Sequence, residues 1–279
     1  MKILSETITS RNNPLVKWCA SLQEKKGRNE AESFFVEGFK LSSEAISFGL
    51  PISHVFIIDS KIDEFLPKIK EGLSKESYKD TVVVTLSESA FEKISTEKSP
   101  QGIITVIKYL DFFKELDIIY KEEFYFSDTD RIIILCSLRD PGNLGSVIRS
   151  AVAFGINHIV LSDDSADLYN PKTVRSAMGS LFRVKATIPH DLASFISRIR
   201  ESGRRVYAAE LTDNAVAISD ISIRGRDVVI IGNEGHGIPK EISALCDESV
   251  YIPISENTES LNASVAAGVL MWEQSKKEM

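Results

Sequence analysis

The chain has 279 residues, which at roughly 150 residues per domain favours two domains. With 43% apolar and 26% charged residues it can bury sizeable cores, so the composition excludes a wholly disordered chain, a collagen-like repeat and a small disulfide-rich protein. The net charge of −7 argues against a protein that coats nucleic acid through bulk charge, although it leaves room for a local basic site.

Short β-branched runs alternate with segments of helical spacing in the first part of the chain. Strands are predicted at HVFII (54–58), TVVVTL (81–86) and GIITVIKY (102–109), with segments such as EAISFGL and EFLPKIKEGL between them. This pattern predicts a small α/β domain over residues 1–108. The acidic and aromatic stretch 109–130 keeps no clean period, so we predict a connector there.

The alternation becomes regular after this connector. Strands are predicted at RIIILC (131–136), HIVLS (158–162), RVYAAEL (205–211), DVVIIG (227–232) and VYIPI (250–254), and helices at 143–154, 172–180, 191–202, 239–246 and 261–276. Because buried apolar runs alternate with amphipathic segments, residues 131–279 are predicted to form an α/β domain with a parallel sheet covered by helices on both faces.

The cysteines and the hydropathy pattern bear on metals and membranes. Cys19, Cys136 and Cys246 lie far apart, form no CxxC pair and make no ligand cluster with the four histidines, so we predict reduced thiols and no metal. No apolar run approaches the ~18 residues of a membrane span, and the first residues lack the apolar core of a signal peptide. We expect a cytoplasmic protein that does not contact a membrane.

The loops after the strands are the places to look for a site, because open parallel sheets bind ligands at the carboxyl ends of their strands. In SLRDPGNLGSVIRSA (137–151), Asn143 is predicted to cap a helix. Arg149 falls roughly 130° from the centre of the apolar stripe of that helix, so it faces solvent or a cleft. A solvated helix arginine is the plain alternative.

Two further loops are unusual. GNEGHGIP (232–239) has three glycines that let its backbone approach a ligand, although a tight turn without a ligand explains them equally well. IPISENTESLNASVAAGVLMWE (252–273) contains a strand end, a polar loop and a helix with a surface of small residues. Ordinary packing of helix on sheet accounts for most of that helix, and Asn262 alone reads as its cap.

Together the three stretches resemble a known family. NLGSVIRSAVAFGI, VVIIGNEGHGIP and VYIPISENTESLNASVAAGVLMWE look like the three ordered motifs of the SpoU/TrmH class of SPOUT methyltransferases, which methylate the ribose 2′-oxygen of RNA. The resemblance covers roughly residues 128–279. The amino-terminal SRNNPLVKWCASLQEKKGR and FFVEGFKLSSEA are similar to the RNA-substrate-binding domain of the ribosomal RNA members, over a shorter and less specific match.

The resemblance implies a trefoil knot in the carboxy-terminal domain, S-adenosylmethionine bound in that knot, and a homodimer. It also implies roles for individual residues. Backbone contacts to the cofactor would come from Gly232, Ile252 and Leu261, and the rest of the pocket from Asn233, Glu234, Gly235, Pro253 and Asn262. The catalytic group would comprise Arg149, with Asn143 beside it, Ser260 near the reacting ribose, and Glu234 and Asn262.

A local excess of positive charge suggests where RNA binds. Between Arg11 and Lys40 the acidic chain carries six basic residues against four acidic ones. We expect contacts to the RNA backbone from Arg11, Lys17, Lys25, Lys26 and Arg28. A solvated helix face is the alternative explanation of this excess.

The resemblance favours transfer of a methyl group from S-adenosylmethionine to large-subunit ribosomal RNA, and three other interpretations are open at this point. The substrate could be a tRNA ribose, or the protein could bind RNA on the same fold without catalysis. The third, an unrelated α/β enzyme with a small-molecule substrate, would need a nucleophile–base pair or a cofactor fingerprint, and the sequence contains neither.

Overall fold

A computed structural model describes residues 1–110, the backbone of 113–116, residue 127, and residues 129–233, 235–258 and 260–276. It divides into two compact units. The first unit comprises Met1–Asp111 with Asp167–Phe182, and the second unit comprises Phe112–Ala166 with Arg183–Met279.

The first unit is built on a mixed sheet. Its elements up to residue 110 are β1 (Lys2–Ile3), α1 (Pro14–Ser21), α2 (Lys25–Ala31), β2 (Ser33–Glu37), α3 (Phe39–Ser47), β3 (Ile52–Ile58), α4 (Ile62–Leu73), β4 (Val82–Leu86), α5 (Glu88–Ile94) and β5 (Ile103–Lys108). The strand order is β1-β4-β3-β5-β2, with β1, β4 and β3 parallel and β5 antiparallel to both of its neighbours.

Helices cover this mixed sheet. Side chains alternate between the two faces of a strand, so Phe56 and Val84 face α1 and α5 and join one buried cluster with them. Val55 and Ile57 point the other way and are fully buried. Helices α3 and α4 contact β3 and β5 there.

The second unit is built on a parallel sheet. In chain order the remaining elements are β6 (Phe113–Leu116), β7 (Ile132–Leu135), α6 (Pro141–Ala153), β8 (His158–Leu161), α7 (Pro171–Ala177, which belongs to the first unit), β9 (Lys185–Pro189), α8 (Leu192–Glu201), β10 (Val206–Ala209), β11 (Val216–Ala217), β12 (Val228–Ile231), α9 (Lys240–Ser243), β13 (Glu248–Tyr251) and α10 (Ala263–Ser275). The strand order is β11-β13-β10-β12-β7-β8-β9-β6, and each neighbouring pair is parallel.

The strand order of this sheet reverses at β7 and β12. From β7 the chain adds β8 and β9 on one side, then crosses to build β10 and β12 on the other. Helices α8 and α9 pack on the face that carries Ile134, Val160 and Ile230, while α6 packs against α10 and α10 against β12. The loops after β7 and β12 therefore emerge side by side, at the position where open parallel sheets bind ligands.

The structure confirms the predicted parallel sheet, and each of the eight predicted strands forms to within three residues. Five described strands were not predicted by the pattern, namely β1, β2, β6, β9 and β11, and β6 lies inside the predicted connector 109–130. The helix predicted over 239–246 is only the short α9, and the rest of that stretch continues in turns.

Residues 167–182 depart from the predicted division, which placed them in a domain over 131–279. Tyr169 stacks on Tyr109 with ring centroids 4.3 Å apart, contacts Phe34 at 4.5 Å, and its hydroxyl accepts a hydrogen bond from the backbone N–H of Leu110. These aromatic contacts bury the segment in the first unit.

Arg28 was predicted to contact RNA, and the structure contradicts this because its side chain is buried, with only 1% of the residue exposed. The guanidinium donates hydrogen bonds to the backbone oxygens of Leu22 and Gln23, at 2.9 and 2.8 Å, and pairs with the Asp167 carboxylate at 2.5 Å. Gly27 allows this position, since a Cβ there would lie 2.1 Å from the Ser21 oxygen of α1. Arg28 is a structural residue of the first unit.

Among the described residues, no helix combines the length and apolarity needed to cross a membrane. In that same part of the chain, no three His, Cys, Asp or Glu side chains are grouped so as to hold a metal ion. Cys19 and Cys136 are buried and Cys246 is half-buried, each as a free thiol. Burial, reinforced by the nearby Glu210 and Asp247, raises the pKa of Cys246 to about 12.

We predict that Arg28→Met lowers the free energy of unfolding by about 3–5 kcal/mol, because it leaves the Asp167 carboxylate without its buried partner. Urea unfolding of the full chain measures this loss. Lys25→Met, the same substitution at an exposed position of α2, should change the stability by less than about 0.5 kcal/mol. Equal effects of the two substitutions would contradict a structural role for Arg28.

His158 gives a prediction for pH. It is buried in β8 with Nε2 2.8 Å from the Thr187 hydroxyl of β9, and burial lowers its pKa to about 4. An unfolded histidine titrates near pH 6.5, so on acidification the unfolded state takes up the proton first and stability falls between pH 6.5 and 4. We expect the stability difference between the wild type and His158→Gln to shrink by about 3 kcal/mol over that range. A difference independent of pH would contradict the buried neutral histidine.

Candidate functional site

A cavity of about 450 Å³ opens at the carboxyl ends of β10 and β13 in the second unit. Its size lies in the range of small-molecule sites. It is lined by Ala209, Glu210, Leu211, Val250, Tyr251, Ile252, Pro253, Ile254, Ser260, Leu261, Ala266 and Leu270. The wall is mostly apolar and comes from three segments, namely the end of β10, the chain that follows β13, and one face of α10.

Four predicted site residues line this cavity: Ile252, Pro253, Ser260 and Leu261. As far as the described residues define the wall, it does not include the other predicted cofactor residues, Gly232, Asn233, Gly235 and Asn262. The predicted Glu234 lies outside the described residues.

The cavity wall offers unused backbone groups. The backbone N–H groups of Ile252 and Leu261 make no hydrogen bond to any residue that the structure describes. Apolar side chains surround them, including Val250 and Leu270. A flat heterocycle with donors and acceptors on its edge suits such a wall, because its faces meet apolar groups and its edge meets backbone. The adenine of S-adenosylmethionine has this chemistry, so the residues present fit that cofactor.

The loop after β12 is a tight turn held by its own backbone. Asn233 and Gly237 exchange two backbone hydrogen bonds, at 3.0 and 2.9 Å. A Cβ on Gly232 would lie 2.3 Å from the Gly237 carbonyl carbon, so only glycine fits there. The Asn233 side chain accepts a hydrogen bond from the Gly235 N–H at 2.8 Å and donates one to the Ser137 oxygen at 2.9 Å. Asn233 therefore ties this loop to the loop after β7.

The loop after β7 carries a strained residue that a carboxylate holds in place. Ser137 has a positive φ of 57°, and its hydroxyl donates to Asp164 at 3.0 Å, while Arg139 pairs with the same carboxylate at 3.0 Å. Partial burial alone would raise the pKa of Asp164, but hydrogen bonds from Ser162, Ser137 and Arg139 outweigh that effect and lower it. Asp164 is thus a charged anchor for the loop, which sequence reasoning missed because it follows a different strand.

The first and third motifs meet through two asparagines. The Asn262 Nδ2 donates to the Asn143 Oδ1 at 3.1 Å, across 119 residues of sequence. Asn262 also caps α10 by accepting a hydrogen bond from the Ser264 N–H at 2.9 Å, as predicted. The predicted cap at Asn143 is wrong, because α6 begins at Pro141 and the Asp140 side chain accepts the hydrogen bond from the Asn143 N–H. Because Asp140 caps the helix, the Asn143 side chain is available to accept the hydrogen bond from Asn262.

Arg149 is exposed on α6 and makes no ion pair or hydrogen bond with the described residues. Nearby elements carry exposed apolar groups, since Trp272 of α10 contacts Phe154 at 5.9 Å and is 42% exposed, and Val265 is 51% exposed. Within the described part of the chain nothing pairs with the Arg149 guanidinium, and these apolar side chains stay exposed, so both can meet partners.

The predicted RNA contacts Arg11, Lys17, Lys25 and Lys26 are exposed, unlike Arg28. Arg11 and Lys17 line one cleft of the first unit together with Lys93. Lys93 was not predicted, because it lies about fifty residues beyond the basic stretch that ends at Lys40.

Comparisons with known proteins identify the family. Residues 130–272 match the model of the SpoU rRNA Methylase family, and residues 13–105 match the MRM3-like substrate binding domain. The 23S rRNA (guanosine(2553)-2′-O)-methyltransferase RlmP of Bacillus subtilis (strain 168) is 30% identical over 266 residues, which cover 95% of this chain and 97% of that protein.

Two further relatives agree with these matches. The 23S rRNA (uridine(2479)-2′-O)-methyltransferase of Streptomyces viridochromogenes is 27% identical over 95% of this chain and 90% of its own length. The crystal structure of an AdoMet-bound rRNA methyltransferase from Sinorhizobium meliloti superimposes with a TM-score of 0.84 at 27% identity, over 99% of each chain. The resemblance drawn from the three motifs is confirmed, and the chain belongs to the SpoU rRNA methylase family.

Proposed function

We propose that this chain transfers a methyl group from S-adenosylmethionine to a ribose 2′-hydroxyl of large-subunit ribosomal RNA. The observation that carries the proposal is the cavity formed by Ile252, Pro253 and Leu261, next to the bond between Asn143 and Asn262. It puts a pocket of the right chemistry beside the helix that bears Arg149.

Ribosomal RNA is favoured over tRNA by the relatives that match almost the whole chain. Both are named for methylation of 23S rRNA at a 2′-oxygen, and both align with the amino-terminal unit as well as the second unit. The match of residues 13–105 to a substrate binding domain agrees with this. A ribosomal RNA substrate in turn favours a cytoplasmic location for the protein.

The cofactor would be held by backbone and apolar contacts. When bound, S-adenosylmethionine supplies a methyl group on a positively charged sulfur, which is already activated for transfer. Ile252 and Leu261 would bind through their N–H groups, which have no partner among the described residues, and Pro253 and Leu270 would cover apolar faces. Gly232, Asn233 and Gly235 would act by fixing the shape of the neighbouring turn.

Arg149 would act on the RNA. A 2′-hydroxyl is a poor nucleophile at neutral pH and must lose its proton as the new bond forms. A guanidinium with a pKa above ~12 is a poor base. We therefore assign Arg149 to grip an adjacent phosphate and stabilise negative charge on the 2′-oxygen, using a planar fork that suits phosphate. Its lack of described partners leaves its donors free for this purpose.

The remaining catalytic assignments follow the same geometry. Asn143 is fixed by Asn262 and would orient the ribose. Ser260 is exposed at the cavity and would lie near the reacting sugar. From the family motif, Glu234 is assigned both to the cofactor pocket and to the catalytic group.

A homodimer and a trefoil knot complete the proposal. Val265 and Trp272 leave an apolar face on α10, and faces of this kind mark protein interfaces. After β13 the chain returns through residues 252–262 to pack α10 on α6. The last helix thus packs against the helix of the first motif, and a trefoil knot in this segment would fix that packing.

We predict that Arg149→Lys reduces methyl transfer by about 10²–10³-fold, because a point charge replaces the fork that stabilises the transition state. Single-turnover transfer to 23S rRNA measures the loss, and calorimetry should find S-adenosylmethionine affinity within about twofold of the wild type. Arg224→Lys, the same exchange at an exposed residue before β12, is the control. Near-normal turnover of Arg149→Lys would remove Arg149 from the mechanism.

We predict that Ala266→Leu weakens S-adenosylmethionine binding by about tenfold or more, because the added carbons occupy the cavity and overpacking costs about 1–3 kcal/mol. Ala266→Ser leaves the cavity open and should bind nearly as the wild type. Titration calorimetry of both variants decides the point. Unimpaired binding by Ala266→Leu would place the cofactor elsewhere.

A further inference from the structure

We propose that a basic cleft in the first unit holds the phosphate backbone of the RNA substrate. The inference rests on the proposed function and names the surface through which that substrate is held. The cleft measures about 520 Å³ and is lined by Arg11, Asn12, Lys17, Ala20, Ser21 and Lys93.

Two packed helices and the segment before them form the cleft. Lys17 and Ser21 are four residues apart on α1 and so share one face. Lys93 comes from the last turn of α5, which packs against α1. The Gln23 side chain donates hydrogen bonds to the backbone oxygens of Lys93 and Ile94, at 3.3 and 3.1 Å. The cations therefore sit on a framework that is fixed before RNA arrives.

The charges of the cleft are largely uncompensated. Lys17 and Lys93 make no ion pair with any residue in the described part of the chain. Arg11 pairs with Glu92 at 3.7 Å, but the two side chains are 52% and 59% exposed, and such pairs contribute little. Arg11 can therefore exchange Glu92 for a phosphate at small cost. An excess of two positive charges in one cleft of a protein with a net charge of −7 suits a polyanion.

The lining indicates which part of RNA binds. Its side chains supply hydrogen-bond donors and one small apolar group, and no aromatic ring is among the described lining residues. Bases stack on aromatic rings or on a guanidinium plane, and the described lining offers one such plane, that of Arg11. Phosphates need donors and positive charge, which Arg11, Lys17 and Lys93 all supply. We therefore expect contacts that do not depend on base sequence, which would position the RNA while other contacts select the nucleotide.

A helix on the opposite face of the sheet supplies a matched control. Lys70 of α4 and Lys75, just beyond the end of that helix, are exposed and do not line the cleft. Neither makes an ion pair with any residue in the described part of the chain. Neutralising these two lysines changes the net charge of the protein as much as neutralising Lys17 and Lys93 does, but leaves the cleft intact.

The test compares two double variants of the full chain, the cleft variant K17Q with K93Q and the control variant K70Q with K75Q. Affinity for an unmodified 23S rRNA transcript is measured by filter binding at several salt concentrations between about 50 and 200 mM, the range over which phosphate contacts are salt-sensitive. We expect the cleft variant to bind about tenfold more weakly, with a salt slope shallower by roughly 1.4–1.8 for two lost phosphate contacts. The control variant should bind within about twofold of the wild type, and S-adenosylmethionine binding should be unchanged in both.

A third variant, K17R with K93R, should restore both affinity and slope, because the charges return. Equal weakening by the cleft and control variants would overturn the cleft in favour of diffuse attraction. Unchanged RNA binding by the cleft variant would overturn it too, and intact methyl transfer in the same sample would show that the proposed function stands without it. If the wild type binds neither the transcript nor S-adenosylmethionine, the proposed function fails and the cleft fails with it.

Discussion

The hydrogen bond between the Asn143 and Asn262 side chains is the constraint on which the site depends. Asn262 also caps α10, and Asp140 caps α6 through the N–H of Asn143, so the amino-terminal ends of both helices are fixed against each other. Leu261 precedes this contact and lines the cavity. A short polar contact thus positions the cavity wall and the helix that carries Arg149 at the same time.

Around this contact, hydrogen bonds from polar side chains of three loops stabilise a strained backbone conformation. A positive φ at a serine costs of order 1–3 kcal/mol, and Ser137 sustains it through hydrogen bonds with Ser162, Asp164 and Asn233. The glycines of the loop after β12 serve closure of the turn, since Gly232 faces the Gly237 backbone. The described glycines and Asn233 of this loop therefore form a support for the loop after β7, and the cavity wall is mostly apolar.

Local patterns in the sequence predict elements well and long-range contacts poorly. Strands that are buried on both faces are easy to predict because they are continuous β-branched runs. β9 (KATIP) was missed because it is short, alternates with polar residues and ends in proline. Arg28 reads as a solvated cation until Asp167, 139 residues away, is brought beside it. Ile252 and Leu261 were predicted as cofactor contacts from family resemblance alone. Asp164 and Lys93 were not predicted, because their positions in the structure depend on contacts between elements that are distant in sequence.

The central claim is 2′-O-methylation of large-subunit ribosomal RNA, and one measurement tests it most directly. Labelled S-adenosylmethionine is incubated with the full chain and with total RNA from a strain that lacks the gene, and the label is mapped by nuclease digestion and mass spectrometry. We predict label on a ribose 2′-oxygen of 23S rRNA. Label confined to tRNA, label on a base, or no transfer to RNA or ribosomal subunits by a protein that binds the cofactor would contradict the claim.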